Sequence, residues 1–158
     1  MPNMLIKVPQ GAYPSESRAR LVSMLNTAAA TAETIPDDPA KRFFSWVQID
    51  EVAPGAWTCG GHNVTEHMLP CLAMIDVPAG VLDGATRARY AQLVHCAFQK
   101  ALPSSERRQL VTSIMLHEVA DGAWAANGNI WHLPDFARAA GYGHLQTTYA
   151  SGERHEHA

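Results

Sequence analysis

Paired cysteines are missing from this chain. Cys59, Cys71 and Cys96 are an odd number with no close spacing in 158 residues. That excludes a disulfide framework and a cysteine-rich zinc site, fits a reducing cytoplasmic setting, and leaves each thiol as small buried filler. An excess of positive charge is missing too: a net charge of −3 and a pI near 6.2 provide no field for nucleic acid. No apolar run approaches the ~18 residues that would span a bilayer. The amino terminus lacks the basic and apolar segments of a secretory leader. Eight histidines are present, but no pair has ligand spacing on a predicted helix, so no metal is expected. A phosphate loop and a nucleotide fingerprint are likewise absent, and no cofactor is expected.

What is present is a repeat, and a repeat has to be recognised before a fold is assigned. Glu51-Val52-Ala53-Pro54-Gly55-Ala56-Trp57 returns as Glu118-Val119-Ala120-Asp121-Gly122-Ala123-Trp124. Val8-Pro9-Gln10-Gly11 is echoed by Val77-Pro78-Ala79-Gly80, and Arg18-Ala19-Arg20 by Arg87-Ala88-Arg89. One unit covers about residues 1–65 and its copy about 66–131.

Within the first unit, Met4 to Val8 is a short apolar run closed by Pro9 and Gly11, which reads as a strand and a turn. Pro14 and Ser15 open a helix whose apolar stripe is Leu21, Leu25, Ala28, Ala29 and Ala32. Ile35 to Pro39 is a loop, and Phe43 to Glu51 a second strand. In the copy, Leu72 to Val77 is a strand, and Asp83 caps a helix carrying Tyr90, Val94, Ala97, Phe98 and Ala101. Leu110 to Val119 is the returning strand. Each unit is therefore β-α-β, with parallel strands and a right-handed crossover. The fold class is α+β: duplicated β-α-β units give a four-stranded sheet with two helices on one face. The other face also reads as apolar, which predicts packing against further copies. Residues 125–146 supply loops, Trp131 and a short helix from Asp135 to Ala140. The expected organisation is a single domain over 1–146 and a polar tail at 147–158.

The duplicated unit, Pro2, and the phrase Glu51-x-Ala53-x-Gly55-x-Trp57-x-x-Gly60-Gly61 together resemble the tautomerase superfamily. The short-chain pattern is that of 4-oxalocrotonate tautomerase. The double-length pattern is that of the malonate semialdehyde decarboxylase and cis-3-chloroacrylic acid dehalogenase type. The resemblance implies a homotrimer whose sheets close into a barrel-like assembly. It also implies a catalytic amino-terminal proline, freed when Met1 is removed, and a small carboxylic or oxo acid as substrate. The expected activity is keto-enol tautomerisation with Pro2 as general base and acid. A terminal secondary amine titrates near neutrality, and a dry pocket lowers its proton affinity.

Other site residues follow from the same resemblance. Trp57 falls where an aromatic walls the pocket, and a core or interface tryptophan is its other reading. Glu118 is comparable to a glutamate that activates water in dehalogenase-like members, which keeps a hydratase or dehalogenase-type lyase in view. Glu51 occupies the same place in the first unit, which favours anchoring of the turn as the role of both. The carboxylate-binding arginines of the pattern are missing in register: Ala12, Val81 and Trp46 stand in their places. Arg42, Arg107 and Arg108 are nearby substitutes, since arginine forks onto carboxylates. Without a clamp, a non-catalytic binding or assembly module on the same scaffold is the further alternative.

Overall fold

The computed structural model describes residues 1–145; the tail at 147–158 lies outside the described residues. Strand β1 (Asn3–Pro9) leads into helix α1 (Ser15–Ala32), a short helix α2 (Pro39–Arg42) and strand β2 (Trp46–Val52). Two small strands, β3 (Thr58–Cys59) and β4 (His62–Asn63), form an antiparallel arm. Strand β5 (Met68–Pro78), helix α3 (Gly84–Ala101) and strand β6 (Gln109–Val119) repeat the first unit. A second arm, β7 (Trp124–Ala126) with β8 (Asn129–Trp131), precedes helix α4 (Leu133–Ala140).

The main sheet has the order β2-β1-β5-β6. Each crossover pair is parallel, as the β-α-β reading requires, and the two units meet through an antiparallel β1–β5 seam. The structure is thus mixed α+β with a four-stranded sheet. Sheet residues alternate as pleating dictates. Met4, Ile6 and Val8 of β1, with Leu69, Cys71, Ala73, Ile75 and Val77 of β5, are buried beneath α1 and α3. These helices contribute Leu21, Leu25, Tyr90, Val94 and Phe98, all fully buried.

Several local expectations are corrected. Ile35 to Asp38 is loop as expected, but Pro39 already belongs to a helix, because Asp38 accepts from the Ala40 amide at 2.9 Å and caps α2 with Pro39 in its first turn. Helix α4 begins at Leu133, earlier than Asp135, because the Asp135 carboxylate reaches back to the His132 amide. Cys59 and Cys96 are exposed; only Cys71 is buried, beside the Tyr13 hydroxyl.

The open sheet face is mixed rather than uniformly apolar. One row crosses it as Gln48, Leu5, Met74 and Met115, and the next as Trp46, Asn3, Asp76 and His117. His117 and Asp76 bond across that face at 2.9 Å. Glu118, the next residue, turns to the helix side, as strand alternation predicts.

Glu106 and Arg108 close the loop before β6. The Arg108 guanidinium holds both carboxylate oxygens of Glu106 (2.9 and 2.7 Å) and donates to the Thr65 carbonyl. This contact takes the Glu106 carboxyl down to about 2. A depressed carboxyl contributes stability above its unfolded value and loses it as pH falls through the folded one. Glu106→Gln is therefore expected to lower the melting temperature at pH 7, and the difference from wild type should shrink steadily between pH 5 and pH 3. A pH-independent difference in calorimetry would contradict this.

Candidate active site

The amino terminus is buried, which is rare for a chain end and costly for a charge. Met1 is 6% exposed and Pro2 is buried beside it. The Met1 amine donates to Glu33 Oε2 at 2.9 Å and to the Tyr142 hydroxyl. Tyr90 donates its hydroxyl to the other oxygen, Glu33 Oε1, at 3.0 Å. Glu33, Tyr90 and Tyr142 each have no solvent exposure. An amine, a carboxyl and two phenols are thus gathered in one dry spot.

Local structure explains how Glu33 gets inside. Helix α1 ends with Glu33 at its C-cap; Thr34 then takes a left-handed conformation (φ 52°), and the Ile35 amide returns to the Ala30 carbonyl. This is a Schellman-type stop, normally given to glycine. A β-branched residue at positive φ is strained, and such strain persists only where surroundings over-determine it. Here the C-terminal turn does so. The Gly143 amide bonds the Thr34 carbonyl, and His144 bridges the Thr34 hydroxyl and the Val81 carbonyl. The same turn delivers Tyr142, and α3 delivers Tyr90.

Burial dominates the electrostatics. It pushes the Met1 amine below the ordinary terminal-amine value, while Glu33 partly restores it. Burial pushes the Glu33 carboxyl up, opposed by the amine, the Tyr90 hydroxyl and His144. It also raises the Tyr90 phenol. The two groups' proton affinities converge, which is the condition for easy proton exchange between them.

Pro2 is buried one residue from this amine. Its carbonyl accepts from the Trp46 amide at 3.0 Å, so β2 holds it in place. Trp46 is 62% exposed on the open face and, with Asn3, lines a shallow cavity of about 600 Å³. Arg42 sits at the end of α2, paired with Asp37 at 3.3 Å, its buried Nε without a partner among the described residues. Arg107 and Arg108 precede Gln109, which pairs with Met68, whereas Asn3 pairs with Asp76. At about 3.3 Å per residue, the run from Met68 to Asp76 separates these ends by roughly 25 Å. Within one chain, then, Arg107 and Arg108 are remote from Pro2. Trp57 is half-buried at the base of the first arm and does not join the main core, whereas Trp124 packs on Phe136 with ring centroids 5.3 Å apart. Glu118 is held by Arg87, and Glu51 by Arg18 at 2.8 Å, so the repeated glutamates make the same contact in both units.

Glu33, Tyr90 and Tyr142 were not legible as site residues, although one signal for two of them exists. Aligned end to end, the two long helices place Leu102 opposite Glu33 and Leu21 opposite Tyr90. Where a duplicated unit swaps leucine for a buried polar group, packing alone does not account for the change.

No family model matches this sequence, and no curated protein matches it. Solved structures do share its shape. A fused 4-OT described as a symmetric trimer is 19% identical with a TM-score of 0.64, covering 87% of this chain and 98% of its own. A member of the cis-3-chloroacrylic acid dehalogenase family is 14% identical with a TM-score of 0.66, covering 95% and 96%. A protein crystallised after inactivation by 2-oxo-3-pentynoate is 14% identical with a TM-score of 0.64, covering 81% and 95%. The fold is that of the fused tautomerase-superfamily proteins, and the resemblance read from Pro2 and the repeated phrase holds at that level.

Proposed function

We propose that the mature chain begins at Pro2 and catalyses keto-enol tautomerisation of a small enolisable carbonyl compound, the class to which 2-oxo acids belong. The buried amino terminus on Glu33 and Tyr142 carries this reading. Consecutive Cα atoms lie ~3.8 Å apart, so loss of Met1 moves the terminal amine by one such step. It leaves a space the size of one methionine residue between that amine and the two phenols. The proline nitrogen removes a proton from the carbon beside the carbonyl, a phenol hydrogen-bonds the enolate oxygen as its charge develops, and the protonated amine delivers the proton to that oxygen to give the enol and restore the free amine. Burial keeps the amine's proton affinity low enough for it to act as a base near neutrality. The ring fixes the direction of the lone pair. The likeness to fused 4-OT structures, and to a protein inactivated by an electrophilic 2-oxo acid, supports the same chemistry. A trimer with partner residues completing the pocket is part of this proposal.

Two measurements test it. Intact mass of the purified protein should show a chain lacking Met1; retention of Met1 makes the Pro2 nitrogen an amide and ends the proposal. Deuterium incorporation beside the carbonyl of phenylpyruvate and its methyl ester, followed by NMR, should be faster with protein than without.

The lyase reading needs Glu118 free to activate water. Its ion pair with Arg87 and the matching Glu51–Arg18 pair favour an anchoring role instead. Glu118→Gln is expected to leave turnover within about threefold and to cost at most ~1 kcal/mol of stability, as partly exposed pairs do. A hundredfold loss of turnover would restore Glu118 to the mechanism.

A further inference from the structure

We infer that Glu33 makes this site selective for an uncharged carbonyl compound over a carboxylate of the same shape. The inference rests on the proposal that the terminal amine meets the substrate, and it narrows the class of molecule it meets. Within this chain, the groups facing the Met1 amine are Glu33, Tyr142 and, through Glu33, Tyr90, with His144 adjoining. No guanidinium or lysine ammonium is bonded to any of them among the described residues. The cations around this end of the sheet are committed elsewhere: Arg42 to Asp37, Lys41 to the Arg138 carbonyl, and Arg87 to Glu118.

Charge balance then decides what fits. Amine and Glu33 together sum to zero, whether the proton rests on nitrogen or on oxygen. A ligand carboxylate would bring an uncompensated negative charge into a dry site that already holds an acidic group. An uncharged ketone or aldehyde adds none. It also meets a free donor: Tyr142 accepts from the amine, and its own hydroxyl hydrogen has no acceptor among the described residues. A carbonyl oxygen suits that hydrogen.

The test compares two reagents with the same reactive ynone, 3-pentyn-2-one and 2-oxo-3-pentynoate, in which a carboxylate replaces a methyl group. The amine nitrogen adds to the alkyne carbon β to the carbonyl. The displaced π pair forms an allenolate, which takes up the proton the amine gives off, so the protein gains the whole mass of the reagent with no leaving group. Labelling rates of the full-length protein, read by intact mass and peptide mapping, are divided by the rates with free prolinamide to remove intrinsic reactivity. The uncharged reagent should then be favoured at least ~10-fold, the scale expected of like charges a few ångströms apart at a partly screened site. Glu33→Gln, which keeps the bond to Tyr90, should bring the ratio to within about twofold of unity.

Equal or faster labelling by 2-oxo-3-pentynoate in the wild type overturns the inference, and so does a preference that survives Glu33→Gln. Failure of the uncharged reagent to outpace prolinamide overturns it as well. The wild-type ratio is decisive even if the variant misfolds. A collapsed preference alongside turnover that still depends on Pro2 removes only this inference and leaves the tautomerase reading standing.

Discussion

Pro2→Ala lowers turnover of an enolisable carbonyl compound by about 100-fold, with the melting temperature nearly unchanged. The expectation follows from what the ring contributes. Alanine at position 2 still leaves a terminal amine, but a primary one, free to rotate and more heavily hydrated. Loss of a positioned general base typically costs 10²–10⁴-fold, and the surviving amine keeps the loss toward the lower end. Equal rates for variant and wild type would take Pro2 out of the chemistry. The pH profile adds a sign. Rate should rise as the amine loses its proton, with the rise centred below the ordinary terminal-amine value, the direction in which burial moves the Met1 amine in the same spot. Glu33 acts in the opposite sense on the amine, so Glu33→Gln should move the rise to still lower pH. An unchanged profile would mean that the two groups do not communicate.

Glu33→Ala destabilises the fold by about 3 kcal/mol, the scale seen when one partner of a buried pair is removed. Two groups lose their acceptor or counter-charge together: the amine and the Tyr90 hydroxyl. Deprotonation of the amine relieves part of that cost, which argues against a larger figure. Urea titration measures it directly, as a lower midpoint with an unchanged slope. A loss under 1 kcal/mol would show that the cluster is not a structural tie. Glu33→Gln should lose less, because it retains an acceptor for Tyr90.

The repeat was legible because packing has a period. Leu21, Leu25 and Ala28 in one helix, and Tyr90, Val94 and Ala97 in the other, mark the buried stripes as the structure shows them. The parallel pairs follow from the crossover helices. The antiparallel seam between the two units could not be read, since nothing local in β1 or β5 states which strand edge meets which. The two arms, only two or three residues per strand, are too short to carry a period.

The site was half legible. Pro2 stands out because a terminal proline has a chemistry no internal one has. Arg107 and Arg108 were drawn toward it by residue type alone, and the sheet register sets them at its far end. Glu33 escaped notice because a glutamate closing a helix is ordinarily a solvated residue. Only the left-handed turn at Thr34, held by the distant Gly143 and His144, brings it indoors.

The amino terminus touches the end of the first helix, the middle of the second and the last described turn of the chain. Its enclosure therefore waits on Tyr142, which lies 141 residues further along the chain. Before that moment Met1 is open to an aminopeptidase; afterwards, at 6% exposure, it is out of reach. The Met1 removal proposed above therefore has to precede that closure. Any peptide added ahead of Met1, such as a purification handle, would have to thread out through the space the phenols enclose.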